Sequence, residues 1–239
     1  MKIVNADWEY RNLGVTTIEI EIEEYDTRET ILTTIQEIRA QYIVLKLPSH
    51  KADMTFDIQK SGYTYIEDMV QMVSYLKKVN YSSVQERFNT CVSTQVMTEE
   101  DLVTVKQEIK KGLFSTDRVY LDPYFSKKQA YNRYINWIED EYLRKTQFIK
   151  YIYKGNTIGF FALREQEKGR YTSFLGGIFP AYRKGGIGTV VKVPQVVQAY
   201  GGKSVSTNVS SNNPTQIRNL ILNGYIPESI THTFIKHLG

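Results

Sequence analysis

Apolar and polar positions alternate near the start of the chain. Across residues 15–23, Ile18, Ile20 and Ile22 fall on one side and Glu19, Glu21 and Glu23 on the other. That period of two predicts a half-buried strand whose acidic row is a solvated face. Across residues 27–40 the period lengthens, with Ile31, Ile35 and Ile38 at helical spacing. Residues 42–47 form a compact apolar strand, stopped by Pro48. A short helix to Lys60, a Gly62-Tyr63 turn and a strand over residues 69–77 follow.

Residues 78–84 read as a linker, and residues 86–96 as a strand in which Cys91 is a small core residue. Thr98-Glu99-Glu100-Asp101 has the form of a helix start, with Leu102, Val105, Ile109 and Leu113 on one face behind it. Residues 114–125 form a loop rich in Tyr, Asp and Pro. Residues 126–145 are a second amphipathic helix, carrying Tyr131, Tyr134, Trp137, Ile138 and Tyr142. Residues 148–153 and 157–164 are strands joined by Lys154-Gly155-Asn156, a hairpin signal. A strand over residues 171–178 leads into Arg183-Lys184-Gly185-Gly186-Ile187-Gly188-Thr189, which opens a helix reaching about Tyr200. Pro194 falls inside that helix and is expected to kink it. Then come a strand (204–208), a helix opened by Asn213-Pro214 and closed by Asn223-Gly224, and a last strand (229–237).

The glycine stretch is the strongest chemical signal. Glycines let backbone N–H groups approach a ligand, a helix N-terminus adds exposed donors, and Arg183 and Lys184 add charge beside them. The combination suits a pyrophosphate, although an unliganded strand-to-helix turn has the same composition. A dinucleotide fingerprint needs a third glycine where Val191 stands. A P-loop ending at Gly202-Lys203-Ser204 needs its first glycine where Val197 stands, and its Lys-Ser enters a strand.

Arg183-x-x-Gly186-x-Gly188 instead resembles the acyl-CoA signature of the GNAT superfamily of N-acyltransferases, and the order of elements from residue 83 onward is that superfamily's order. The type it most resembles acetylates nucleotide-linked amino sugars, the dTDP-fucosamine N-acetyltransferases, which carry an N-terminal half-domain of similar length. This resemblance implies an α/β fold (α+β by some schemes), a mixed central sheet flanked by helices, preceded by a smaller half-GNAT-like αβ domain. The expected domains are residues 1–82, without a CoA site, and residues 83–239, the acyltransferase. It further implies acetyl-CoA as co-substrate, bound through Ile178, Phe179, Arg183, Lys184, Gly185, Gly186, Ile187, Gly188, Thr189 and Asn213, with a backbone N–H near Ile178 stabilising the oxyanion. A small-molecule primary amine is the implied acceptor, contacted by Tyr120 and Tyr124, with Asp122, Glu139 and Glu141 as candidate bases by region. That family's tail pairs Asn with a Tyr seven residues on; here Asn213 is followed by Leu220, which has no proton to give. Tyr225 is the substitute candidate acid. Three readings stay open: amino-sugar acetylation, another small amine or longer acyl chain, and a silent CoA-binding module.

The first third repeats the order strand, helix, strand, helix, Gly-Tyr, strand found at the end of the chain. Where the second copy has its glycine loop, the first has Glu24-Tyr25-Asp26-Thr27-Arg28-Glu29, whose acids repel a pyrophosphate. The first copy is expected to bind no CoA and to extend the sheet, shape the acceptor pocket or support a homodimer.

Composition adds boundaries. The chain has 239 residues, ordinary hydrophobic (41%) and charged (23%) content, and a net charge of only +4, too weak to argue for nucleic acid. One cysteine excludes an internal disulfide framework and fits a reducing cytoplasm. No signal-peptide or membrane-span pattern is expected. His50, His232 and His237 with one Cys give no metal-ligand spacing, and no nucleophile elbow occurs.

Overall fold

Ten strands form one mixed sheet in a computed structural model that describes residues 1–189 and 191–238, apart from the side chains at positions 185, 188 and 189. The first half comprises β1 (Lys2–Asn5), α1 (Asp7–Leu13), β2 (Thr17–Glu21), α2 (Arg28–Glu37), β3 (Tyr42–Pro48), α3 (Thr55–Lys60) and β4 (Thr64–Ser74). It is followed by α4 (Ser83–Cys91), β5 (Val92–Val96), α5 (Glu99–Lys110), α6 (Arg118–Leu121) and α7 (Lys127–Leu143). The last part holds β6 (Gln147–Tyr153), β7 (Asn156–Glu167), β8 (Arg170–Ile178), α8 (Val193–Ala199), β9 (Ser204–Ser210), α9 (Pro214–Leu222) and β10 (Ile226–His237).

Sheet order is β1-β2-β3-β10-β4-β9-β8-β7-β6-β5. The final strand thus lies between two strands of the first half, and β4 in turn lies between β10 and β9. The pairings make the internal repeat explicit. β2 runs parallel to β3 as β8 does to β9, and β10 runs antiparallel to β3 as β4 does to β9. β4 and β10 pair antiparallel with each other at the centre. Each unit's last strand completes the other's sheet.

Alternation along the strands builds a core on each face. On one, α2 and α3 cover Ile20, Ile43 and Leu45, while α4, α8 and α9 cover Tyr151, Phe161 and Val205. On the other, α5 and α7 cover Phe148, Phe160 and Leu175, and α1 and α6 cover Tyr42, Val44 and Ile235. Caps start the helices: Asp101 accepts the Thr98 N–H at 2.8 Å where the sequence signals a helix start, Ser126 pairs with Gln129, and Ser82 pairs with Gln85 where a linker was expected. No helix among the described residues is long and apolar enough to cross a membrane.

Four local expectations are corrected. The Ser82 capping box and buried Phe88 turn residues 83–91 into a helix, so the strand begins at Val92 and Cys91 is exposed at the helix end. Pro194 does not kink a helix interior. The glycine stretch forms a separate 3-10 helix (Lys184–Thr189), and α8 starts only at Val193, which puts Pro194 in its first turn, where the missing N–H is not needed. The loop over residues 114–125 contains the helical turn α6, capped by Asp117. The acidic row of β2 is not simply solvated, because α6 lies over it: Glu19 is buried and accepts from Arg118 at 2.5 Å and Lys46 at 2.8 Å.

Candidate functional site

The two parallel pairs differ in one decisive way. β2 and β3 stay paired along the whole of β2, from Thr17 opposite Tyr42 to Glu21 opposite Lys46. β8 and β9 pair only from Arg170 opposite Ser204 to Thr172 opposite Ser206, and then part. A register shift against β7 between Ser173 and Leu175 bends β8 away at that point. The Phe179 N–H donates to Ile158 O at 2.8 Å on the β7 side. Backbone alternation therefore turns the Ile178 N–H and C=O towards the opening. Close approach of β7 and β8 is needed here: a Cβ on Gly176 would lie 2.6 Å from Phe160 O.

Arg183 guards the wide end of this cleft. Its guanidinium donates to Ile178 O (3.1 Å) and Leu113 O (2.6 Å), tying the loop after α5 to the end of β8. Burial lowers its pKa from the usual arginine value. Gly186 has φ +89°, a left-handed conformation that favours glycine, and its Cα faces Phe88 of α4. Ile187 is buried in the core and Lys184 is exposed. The side chains at 185, 188 and 189 lie outside the described residues; those positions were also expected in the cradle. Across the loop, Lys192 donates to Asn89 O of α4, and Gln195 donates to the Asn89 side chain at 3.1 Å.

Several remaining candidates have plain structural occupations. Asn213 caps α9, its Oδ1 accepting the Gln216 N–H at 3.1 Å. Leu220 and Tyr225 are 2% exposed, packed in one core with Tyr151, and burial raises the Tyr225 phenol pKa. Glu139 pairs with Lys106 between α5 and α7 at 2.5 Å. Glu141 is buried among Arg144, Thr146 and Arg164. Asp122 is buried against His237, Tyr124 is largely exposed and stacked on that imidazole at 3.9 Å, and Tyr120 lies under the Lys127 ammonium. Two hollows of about 560 and 350 Å3 lie around Tyr171, at the other end of β8, and none of these candidates lines them.

Sequence reasoning missed a buried polar group where the cleft meets α6. Ser210, at the end of β9, donates to Thr116 O at 3.1 Å. Beside it on β4 sits Glu67, 2% exposed, with Oε2 unpartnered; opposite on β10 is Thr233, with its hydroxyl unpartnered. Asp117 Oδ2 and Arg118 Nε are buried nearby, the Asp117 carboxylate beside the Tyr134 hydroxyl and the Arg118 guanidinium beside that of Tyr42. Burial raises the Glu67 carboxyl pKa, with Asp117 acting the same way against Ser210 and Arg118. No local signal marked it: Glu67 stands beside Asp68, ahead of the strand over residues 69–77 that the sequence pattern predicts, and β4 begins five residues earlier, at Thr64.

No protein-family model matches the chain, and no curated protein matches its sequence. Solved structures match its fold. A functionally unknown conserved protein from Staphylococcus epidermidis aligns at a TM-score of 0.64 and 12% identity, over 93% of this chain and 84% of its own. A GCN5-related N-acetyltransferase from Sphaerobacter thermophilus aligns at 0.61 and 12%, over 99% and 75%. A tandem GNAT protein from the clavulanic acid biosynthesis pathway aligns at 0.56 and 12%, over 93% and 75%. The fold is the GNAT fold, preceded by a half-unit of the same kind. At this identity the likeness is one of architecture.

Proposed function

We propose that the protein is an acyl-CoA-dependent N-acyltransferase that moves an acetyl group from acetyl-CoA to a primary amine, with a nucleotide-linked amino sugar as the leading acceptor. Residues 83–239 form the acyltransferase domain and residues 1–82 a half-domain without a CoA site. The observation that carries this reading is the parting of β8 from β9 beside a glycine loop, against the fully paired β2 and β3 of the first unit. The open edge of β8 fits an extended pantetheine arm as it would fit an added strand.

Acetyl-CoA, when bound, supplies the activated carbonyl that an amine attacks. The chain binds and orients. Backbone N–H groups of residues 184–189 and the Lys184 charge hold the phosphates. The Ile178 N–H, turned into the cleft, donates to the developing oxyanion. An exposed single cysteine fits the reducing cytoplasm as the working compartment.

A second reading, a silent CoA-binding module, is favoured by Leu220 at the usual acid's position and by the burial of Tyr225. A different small amine or a longer acyl chain is the third. Calorimetric titration with acetyl-CoA and with CoA tests what the readings share: micromolar binding supports them, and no binding removes all three. Release of free CoA thiol with added amines then separates enzyme from silent module, and acceptor profiling separates the first reading from the third.

A further inference from the structure

The larger hollow, of about 560 Å3, lies at the end of the sheet far from the cleft. Tyr171 in its wall and Ile178 stand at opposite ends of β8, about 20 Å apart at the rise of a strand. Its lining is cationic. Arg144, Lys145 and Arg164 meet there with one carboxylate, Glu165, whose Oε1 accepts the Gly169 N–H at 2.8 Å. Behind them the buried Glu141 takes one nitrogen from each guanidinium, Nη1 of Arg144 at 3.0 Å and Nη2 of Arg164. That carboxylate fixes both forks and leaves the remaining donors of each for a ligand. Lys145 has no carboxylate within ion-pair distance among the described residues, so three cations face two carboxylates. Lys145 also occupies a place that suits glycine. At the end of α7 the Thr146 N–H donates to Glu141 O at 3.0 Å and the Lys145 N–H to Tyr142 O at 2.9 Å, and Lys145 takes φ +60°. Helices that close in this way ordinarily carry glycine at that position. The helix dipole favours a cation here, and Arg144 already supplies one. The rest of the lining is uncharged and includes Leu163, the Tyr171 ring and Gln147, whose amide nitrogen donates to Tyr200 Oη at 2.7 Å and leaves the amide oxygen to accept.

We propose that this hollow binds a phosphate monoester carried on a flat ring, a nucleoside monophosphate, at a site separate from the cleft. A phosphate monoester has three terminal oxygens and nearly two negative charges, which match Lys145 and the free donors of Arg144 and Arg164. An inorganic anion would fill only a small part of about 560 Å3, a volume within the range of small-molecule pockets. The base stacks on Tyr171 and turns a donor edge to the Gln147 oxygen. One phosphate suits the hollow better than a longer chain, whose further charges would approach Glu165.

The hollow stands whether or not the chain binds acetyl-CoA, and the test keeps the two apart. The protein is titrated calorimetrically with AMP, with adenosine, which lacks the phosphate, and with inorganic phosphate, which lacks the ring. AMP is expected to bind and the other two to bind at least about tenfold more weakly. Saturating CoA is expected to leave AMP affinity within about threefold. Lys145→Gly binds AMP about tenfold more weakly yet melts no lower than wild type, because glycine is at ease in the left-handed conformation. Tyr171→Leu, the second variant, binds AMP about 5- to 100-fold more weakly through loss of stacking. Absence of AMP binding by the wild type overturns the site. AMP bound by Lys145→Gly or by Tyr171→Leu as it is by wild type overturns it too, since Lys145 then serves only the helix end and Tyr171 only the sheet. AMP binding that disappears at saturating CoA assigns the nucleotide to the glycine-loop cleft, which overturns the hollow and leaves the CoA reading standing.

Discussion

Asp122 holds the imidazole of His237 at 2.8 Å, joining the loop before α7 to the last residue of β10, 115 positions away. The imidazole lies between Tyr124 (3.9 Å) and Tyr42 (4.8 Å), and the other Asp122 oxygen accepts the Tyr124 N–H at 3.0 Å. These partners make Asp122 a clasp that fastens the exchanged strand. Asp122→Asn is therefore expected to cost about 1–3 kcal/mol, read as a lower melting temperature, with acetyl-CoA affinity unchanged. A variant that melts like wild type but no longer turns over would instead make Asp122 the reacting carboxylate.

Glu19 gives a pH signature. Burial pushes its carboxyl up, but Arg118 and Lys46 together outweigh burial and hold it at about 2, below the ordinary 4.5. A depressed pKa adds stability that is complete above the unfolded value and is lost as pH falls from about 4.5 towards 2. The difference corresponds to about 3 kcal/mol at neutral pH. Glu19→Gln is expected to melt well below wild type at pH 7, with the gap closing as melts are repeated down to pH 3. A gap that stays constant with pH would show that the ion pairs contribute nothing beyond packing.

What was legible in the sequence was local. Strands β6 and β7 announced themselves by the hairpin signal at Lys154-Gly155, which take φ of 48° and 77°, α5 and α9 by their cap residues, and α7 by its amphipathic spacing. α1 carries no such mark: Ala6 caps nothing, and the helix is held by Glu9 on Arg133 and Asn12 on Asn136 of α7. Alternation in β2 correctly separated isoleucines from glutamates, yet could not say that α6 would cover the glutamates. Glu67 was unreadable for the same reason. Its meaning depends on Ser210, Asp117 and Thr233, brought together only by the exchange of β4 and β10.

Pro194 offers a test of sign. In the first turn of α8 it fits the helix and mainly restricts the unfolded chain, so Pro194→Ala should lower stability by up to about 1 kcal/mol. A proline kinking a helix interior costs about 3 kcal/mol, and its removal would raise stability. Denaturant titration of the two proteins reads the sign directly, and a stabilised variant would contradict the start of α8 at Val193.

Gly186 joins backbone conformation to the proposed ligand. At φ +89° a β-branched side chain is strained, and its Cβ would sit 3.3 Å from Phe88 of α4. Strain of this kind costs about 1–3 kcal/mol, too little to unfold a chain of this size and enough to make the loop abandon its geometry. Gly186→Val is therefore expected to melt a few degrees lower, about 2–4 °C for each kcal/mol, and to lose calorimetric binding of acetyl-CoA. The relief has a second route, through α4: Phe88→Ala opens space but leaves φ unchanged. Pairing it with Gly186→Val should therefore not restore binding. Restored binding would assign the defect to the Phe88 contact, and undiminished binding in Gly186→Val alone would remove the glycine loop from the site.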